Sequence, residues 1–283
     1  MSGYHHFGHE AMATSFEVLI AQEDVDATYA SQAAEAVFVE IDRLEEELSR
    51  FRPTSEIARL NRLKAGEKLA VSLAAWDCLN LAKTVHAETA GAFDITIGPL
   101  MQLWRTPDGH LLQPEPARIE QARESIGSER FELIEDGCFV RVLADHMVFD
   151  LGAVGKGYAL DQAVQVLADW SIQRAFLNAG DSTLLALDAP EGEAAWGITL
   201  AEGSRDMQLR HQALSGSGFM VKGAHIMNPR TLAPLPLLGR RRYAVAPTAA
   251  LSDALSTAFM VMEPEEIETL CSRYPDVQWL EIG

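Results

Sequence analysis

Asp150-Leu151-Gly152-Ala153-Val154-Gly155-Lys156-Gly157-Tyr158-Ala159-Leu160-Asp161 carries a change of structure within twelve residues. A β-like run, Met147 to Leu151, leads into it. Three glycines follow within six residues, and Leu160, Ala163, Val164 and Leu167 then recur at helical spacing, predicting a helix from about Gly157 to Trp170. Glycines let a backbone approach a ligand closely, and a helix start offers free N–H groups and partial positive charge to an anion. Lys156 adds a full charge in the same turn, so a pyrophosphate is a natural guest. A tight strand-to-helix turn with a surface lysine reads equally well from these residues alone. Two nucleotide motifs are excluded. Walker A needs Gly-x-x-x-x-Gly-Lys-Ser/Thr, whereas Asp150 lies five before Gly155 and Gly157 follows the lysine. The order Gly-x-x-Gly-x-Gly is not the dinucleotide fingerprint.

The flanking chain mixes strands and helices without strict alternation. Thr14–Ala21 reads as a first strand, Asp26–Ser49 and Ala74–Thr89 as long helices, and Arg52–Ser55 as a turn into a short helix ending near Asn61. Strands are expected at 131–134, 138–143, 147–151, 175–178, 183–187, 196–200, 207–209, 243–245 and 277–282. Helices are expected at 249–262 and 264–272, with an irregular segment around Trp104. That pattern favours α+β, with mixed or antiparallel sheets and packed helices, over a doubly wound parallel sheet. No linker or repeat divides the chain, which is read as a single domain over residues 1–283.

The 283 residues carry 41 acids against 23 bases, a net charge of −18, so nucleic acid and anionic membrane are poor partners and an anionic ligand needs a local positive pocket. Cys78, Cys138 and Cys271 are odd in number and far apart, and are expected as small buried side chains. No run approaches the ~18 apolar residues of a membrane span. MSGYHHFGHEAMATSFEVLI has no basic region followed by an apolar one. The chain as given is therefore read as soluble and cytoplasmic, or exported if a leader was trimmed. His5, His6 and His9 are expected in a flexible terminus.

Two further segments crowd polar residues between apolar runs. Asp253 and Thr257, four apart on an expected helix, share one face and could supply oxygen ligands to a hard cation; equally, Asp253 could only stabilise its own helix's first turn. His225 and Arg230 flank Pro229, where a histidine could polarise a phosphoryl oxygen and an arginine could pair with an anion.

Taken together and in order, these segments resemble the ApbE family, the FAD:protein FMN transferases. Met12-Ala13-Thr14 resembles its opening M-G-T. Leu48 to Glu56 with Arg59-Leu60-Asn61 is similar to L-S-x-Y-x-P-x-S-E…L-N. Ala92-Phe93-Asp94, Gly98-Pro99-Leu100 and Leu103-Trp104 look like F-D-x-T-x-G-P-L…L-W. Asp150–Asp161 resembles D-L-G-G-I-A-K-G-Y-A-V-D, His225–Thr231 resembles H-I-I-D-P-R-T-G, and residues 250–258 match A-D-A-L-S-T-A.

The resemblance implies a T-fold-like architecture and cleavage of FAD at its pyrophosphate, with FMN moved to a threonine or serine hydroxyl of an acceptor protein and AMP released. It implies Mg²⁺ held by Asp253, Thr257 and the carbonyl of Ala153. Met12, Phe51, Ala92, Phe93, Asp94, Asp150, Lys156 and Met227 would meet FAD, with His225 and Asp253 catalytic. An Mg²⁺-dependent FAD pyrophosphatase and a non-catalytic FAD-binding homologue stay open beside it. Phe51 stands for the family's tyrosine, Gly155 for alanine, Asn228 for aspartate and Leu232 for glycine, and N-x-G-G-D appears as Asn178-Ala179-Gly180-Asp181-Ser182.

Overall fold

The computed structural model describes residues 4–106, 108, 110–180, 182–200, 205–218, 226–236 and 239–282. In chain order the elements are β1 (His5–Ala11), β2 (Thr14–Ile20), α1 (Ala27–Leu48), α2 (Glu56–Leu60), β3 (Lys68–Ala70), α3 (Leu73–Glu88), α4 (Gly98–Trp104) and α5 (Pro116–Arg123). Then come β4 (Phe131–Ile134), β5 (Phe139–Val142), α6 (Gly155–Asp169), β6 (Ala175–Ala179), β7 (Thr183–Ala186), β8 (Trp196–Leu200), β9 (Arg205–Leu209) and β10 (Gln212–Ser217). Last are β11 (Met227–Asn228), β12 (Ala233–Pro234), β13 (Arg241–Ala246), α7 (Ala249–Val261), α8 (Pro264–Arg273) and β14 (Gln278–Ile282).

The fold is α+β, as expected. Its main sheet runs β1-β2-β6-β7-β10-β13-β14 with every neighbouring pair antiparallel. Period-two alternation divides the side chains of β13 between two cores: Ala244 and Ala246 join the large core, and Tyr243 and Val245 join the smaller one. The large core is closed by α1, α6 and α7. The smaller is covered by the β8–β9 hairpin through Trp196, Leu200 and Leu209. Asp26 starts α1 by accepting from the N–H groups of Thr28 and Tyr29, and Ala30, Ala34, Val37, Ile41, Leu44 and Leu48 form its buried stripe. Fully buried Arg242 donates to the carbonyls of Phe259 and Met262 and pairs with Glu281, placing a cation at the C-terminal end of α7. Among the described residues no helix is long and apolar enough to cross a membrane.

Several expectations fail locally. His5, His6 and His9 lie in β1, paired along its length with β2, rather than in a loose terminus. Their polarity hid an edge strand whose stability comes from its ladder. Residues 147–151 form no strand; their one β-type pairing among the described residues is a parallel bridge between Val148 and Ile97. The segment around Trp104 is helical, as α4, and β10 was not foreseen. Of the three free cysteines only Cys78 is fully buried.

Candidate functional site

The residues preceding the glycine turn are fixed from two sides. Asn61, capping the end of α2, donates to the carbonyl of Phe149 (3.1 Å) and accepts its N–H (2.7 Å). Asp150 donates its own N–H to the carbonyl of Ile95 (2.7 Å), which sets it beside the Ala92-Phe93-Asp94 segment. Gly98 passes so close to Val148 that a Cβ on it would lie 2.3 Å from a Val148 methyl. Asp150 Oδ1 then accepts the N–H of Gly152 (2.8 Å), shaping the turn.

The three glycines differ in purpose. A Cβ on Gly157 would lie 2.2 Å from the carbonyl oxygen of Ala249, so this glycine serves the close crossing of α6 and α7 rather than a ligand. A Cβ on Gly155 would meet nothing nearer than 3.9 Å, which explains how alanine and glycine can exchange there. On Gly152 it would sit 3.0 Å from Asp150 Oδ1.

The crossing brings the sequence-predicted metal helix to the turn. Asp253 Oδ2 lies 3.4 Å from the N–H of Gly157 and 3.6 Å from Lys156 Nζ. Lys156 Nζ also donates to the carbonyl of Gly152 (3.3 Å). In return Asp161, on α6, accepts the N–H groups of Ala249 (2.7 Å) and Ala250 (2.9 Å) at the start of α7. Each helix thus lends a carboxylate to the other's N-terminus. Burial, opposed by these two N–H groups and reinforced by the charge of Asp253, leaves the Asp161 carboxyl pushed up to about 6. Thr257 lies one turn beyond Asp253, its hydroxyl 3.3 Å from Ser217 Oγ and 3.5 Å from the carbonyl of Asp253; Ser256 Oγ is 2.9 Å from Ser217 Oγ.

The donor set suits a hard cation. It consists of oxygens, one nearly buried carboxylate and the Ser and Thr hydroxyls beside it in the chain or on β10, and the ammonium of Lys156 lies 3.6 Å from that carboxylate. Among the described residues no group of three or more His, Cys, Asp and Glu is arranged to hold a metal. A single protein carboxylate with hydroxyls is instead the arrangement by which Mg²⁺ binds when phosphate and water complete its octahedron.

The other predicted residues are placed as follows. Met12 and Ala13 form the β1–β2 turn with φ values of 50° and 58°, a two-residue hairpin turn usually given to Asn-Gly. Glu45 Oε2 accepts the N–H of Met12 (2.9 Å) and Glu45 Oε1 pairs with Arg52 (3.3 Å), tying that turn to the Phe51 loop. Phe51 is 79% exposed. Ala92 and Phe93 are buried. The Asp94 carboxylate is spent locally, accepting from Thr96 N–H (2.7 Å) and hydroxyl (2.6 Å) and lying 3.3 Å from His86 Nδ1. That partner raises the imidazole's pKa.

Met227 is buried in β11. His225 lies outside the described residues, as does Asp181. Arg230 is not free to hold an anion: it donates to the carbonyls of Thr89 (2.8 Å) and Ala90 (3.2 Å) and pairs with Glu266 (2.9 Å). It pins the hairpin carrying Met227 to α3 and α8. Asn228 Oδ1 accepts from Arg230 N–H (2.8 Å) and Thr231 N–H (3.3 Å), a task any Asx oxygen performs, so the exchange with aspartate keeps the turn.

The model of the ApbE family matches residues 12–280. The chain belongs to the ApbE family. A "FAD:protein FMN transferase" of Salmonella typhimurium is 25% identical over 284 residues, covering 93% of this chain and 80% of its own length. Among solved structures, the apo form of the Pseudomonas stutzeri flavinyl transferase ApbE superposes with a TM-score of 0.85 at 22% identity, covering 98% of this chain and 90% of that one. The ApbE protein of Thermotoga maritima gives 0.84 at 25% identity, covering 99% and 94%. The α+β class expected from the sequence is therefore the fold of this ApbE family.

Sequence reasoning passed over Asp161, Ser217 and Arg50, which the structure brings to α7 or to Asp150. Asp161 stood at the end of the decisive stretch but its partner is 88 residues away. Ser217 offered no signal, being one hydroxyl in a glycine-serine run. Arg50 could have been found as a cation beside an aromatic residue in the loop after α1.

Proposed function

We propose that this protein transfers FMN from FAD to a threonine or serine hydroxyl of an acceptor protein, with Mg²⁺, releasing AMP. The observation that carries the reading is the junction of α6 and α7, where Lys156, the N-terminus of α6 and Asp253 meet within 3.6 Å. Phosphoryl transfer needs charge neutralisation and alignment more than covalent catalysis, and this junction offers both.

The acceptor oxygen forms a bond to the phosphorus of the riboflavin-bearing half. The bond from that phosphorus to the bridging oxygen breaks, AMP leaves with that oxygen, and the hydroxyl proton passes to solvent. Lys156 and the first N–H groups of α6 would receive the pyrophosphate, and Asp150 holds the turn that aims them. Asp253, Thr257 and the Ala153 carbonyl are assigned to the cation. Bound there, Mg²⁺ would neutralise charge developing on the phosphoryl oxygens. His225 is assigned to orient the phosphate or the incoming hydroxyl. Met12, Phe51, Ala92, Phe93, Asp94 and Met227 are assigned to the rest of the FAD site, with Asp94 acting through the loop it folds.

Incubation with FAD, Mg²⁺ and an acceptor domain bearing a flavin-accepting threonine tests this. A flavin-labelled acceptor with equimolar AMP is expected, and Asp253→Ala should reduce the rate at least a hundredfold. Free FMN with AMP and no labelled acceptor would make the protein a pyrophosphatase, and unchanged FAD would make it a binding protein.

A further inference from the structure

A second cation lies beside Asp150, the residue that opens the glycine turn. Arg50 follows α1 in the loop after Ser49, at the position the resemblance L-S-x-Y leaves unspecified. Its Nε lies 3.2 Å from Asp150 Oδ2, and Asp150 Oδ1 caps Gly152. Its guanidinium carbon stands 4.4 Å from the centroid of the Phe51 ring, covering one face and leaving the other to solvent. Among the described residues neither terminal nitrogen of Arg50 makes a hydrogen bond, and Nε is in ion-pair contact with Asp150 without hydrogen-bond geometry.

A partly sheltered guanidinium held on one side and open at its fork is built to take two oxygens of an anion. Two cation–carboxylate pairs therefore adjoin the turn. Arg50 is partnered by Asp150 before it, and Lys156 is partnered by Asp253 after it. In a protein of net charge −18, both cations favour an anion reaching this turn.

We propose that Arg50 is the second cation of a pyrophosphate clamp, binding a phosphate of FAD through its open nitrogens while its stacked face supports Phe51. The proposal rests on FAD being the ligand of this site, as argued above. It adds a binding residue that the resemblance does not assign.

The test is equilibrium binding of FAD and of riboflavin, which lacks phosphate, to the wild-type protein, Arg50→Met and Arg50→Lys at several salt concentrations. Melting curves would establish that each variant is folded. Arg50→Met is expected to weaken FAD about tenfold or more, the scale of a lost charge-assisted hydrogen bond, and to flatten the salt dependence of FAD binding. Riboflavin should change less than about twofold, and Arg50→Lys should restore part of the FAD affinity because it keeps the charge but not the fork.

Equal losses for FAD and riboflavin would make Arg50 only a support for Phe51 and Asp150 and overturn the proposal. So would an unchanged salt dependence, or unchanged FAD affinity. Failure of the wild-type protein to bind FAD at all would remove the functional reading first.

Discussion

The α6–α7 junction and the Asn228–Leu232 hairpin both carry ApbE-like sequence, yet they tolerate change in opposite ways. At the junction, backbone meets backbone: Gly157 touches Ala249, and two carboxylates exchange helix N-termini across the crossing. In the hairpin a side-chain oxygen and a turn are all that is required, and this chain has replaced an aspartate by Asn228 and a glycine by Leu232. Leu232 pays with φ 58°, a left-handed value unusual for leucine, but it is 4% exposed and packs with Leu100, Ala122 and Ile126, while its carbonyl accepts from Trp104 (3.0 Å). Geometry set by main-chain contact leaves no substitute. Geometry set by one acceptor leaves several.

The largest effect should come from Gly157→Ala. Its methyl has no room against Ala249, so α7 must move, and a stability loss of about 3 kcal/mol or more is expected in denaturant titration together with loss of FAD turnover. Gly155→Ala, two residues earlier, should stay within about 0.5 kcal/mol of wild type. Equal effects at the two glycines would erase the contrast.

Asp161 sharpens it through pH. Its carboxyl titrates at about 6 in the folded protein against an ordinary 3.8, so the folded state holds the proton more tightly than the unfolded one. The contribution to stability is full below about pH 4 and is lost as pH rises through 6, on the order of 2–3 kcal/mol. Measured as the difference in unfolding free energy between wild type and Asp161→Asn, that slope should appear between pH 4 and 6 and vanish above. A flat difference would place Asp161 outside the buried crossing.

Leu232→Gly should relieve left-handed strain of about 1 kcal/mol but lose a buried side chain, for a net loss of about 1–2 kcal/mol. A gain in melting temperature would show that the strain outweighs the packing. Asn228→Asp should be smallest, within about 0.5 kcal/mol, because the same oxygen position serves the turn.

How much could be read beforehand follows the same division. The long helices α1, α3 and α7 were legible to within a residue or two, because apolar spacing and capping residues such as Asp26 are local. β1 was missed because its histidines carry no apolar alternation, and residues 147–151 were misread because an apolar run does not reveal whether a ladder partner exists. At the candidate site, Asp253 and Thr257 were singled out by their spacing and Lys156 by its glycines. Their meeting depends on a contact between residues 96 apart, which no local pattern encodes. Arg230, read as a possible anion partner, proved to be committed to Thr89, Ala90 and Glu266.

The most direct test is diffraction from crystals holding FAD and Mn²⁺ in place of Mg²⁺. An anomalous peak at coordination distance, about 2.0–2.3 Å, from Asp253 Oδ and Thr257 Oγ1, with the pyrophosphate of FAD reaching the Gly152–Lys156 turn, is the expected result. A metal bound elsewhere, or a pyrophosphate lying away from the start of α6, would contradict the account.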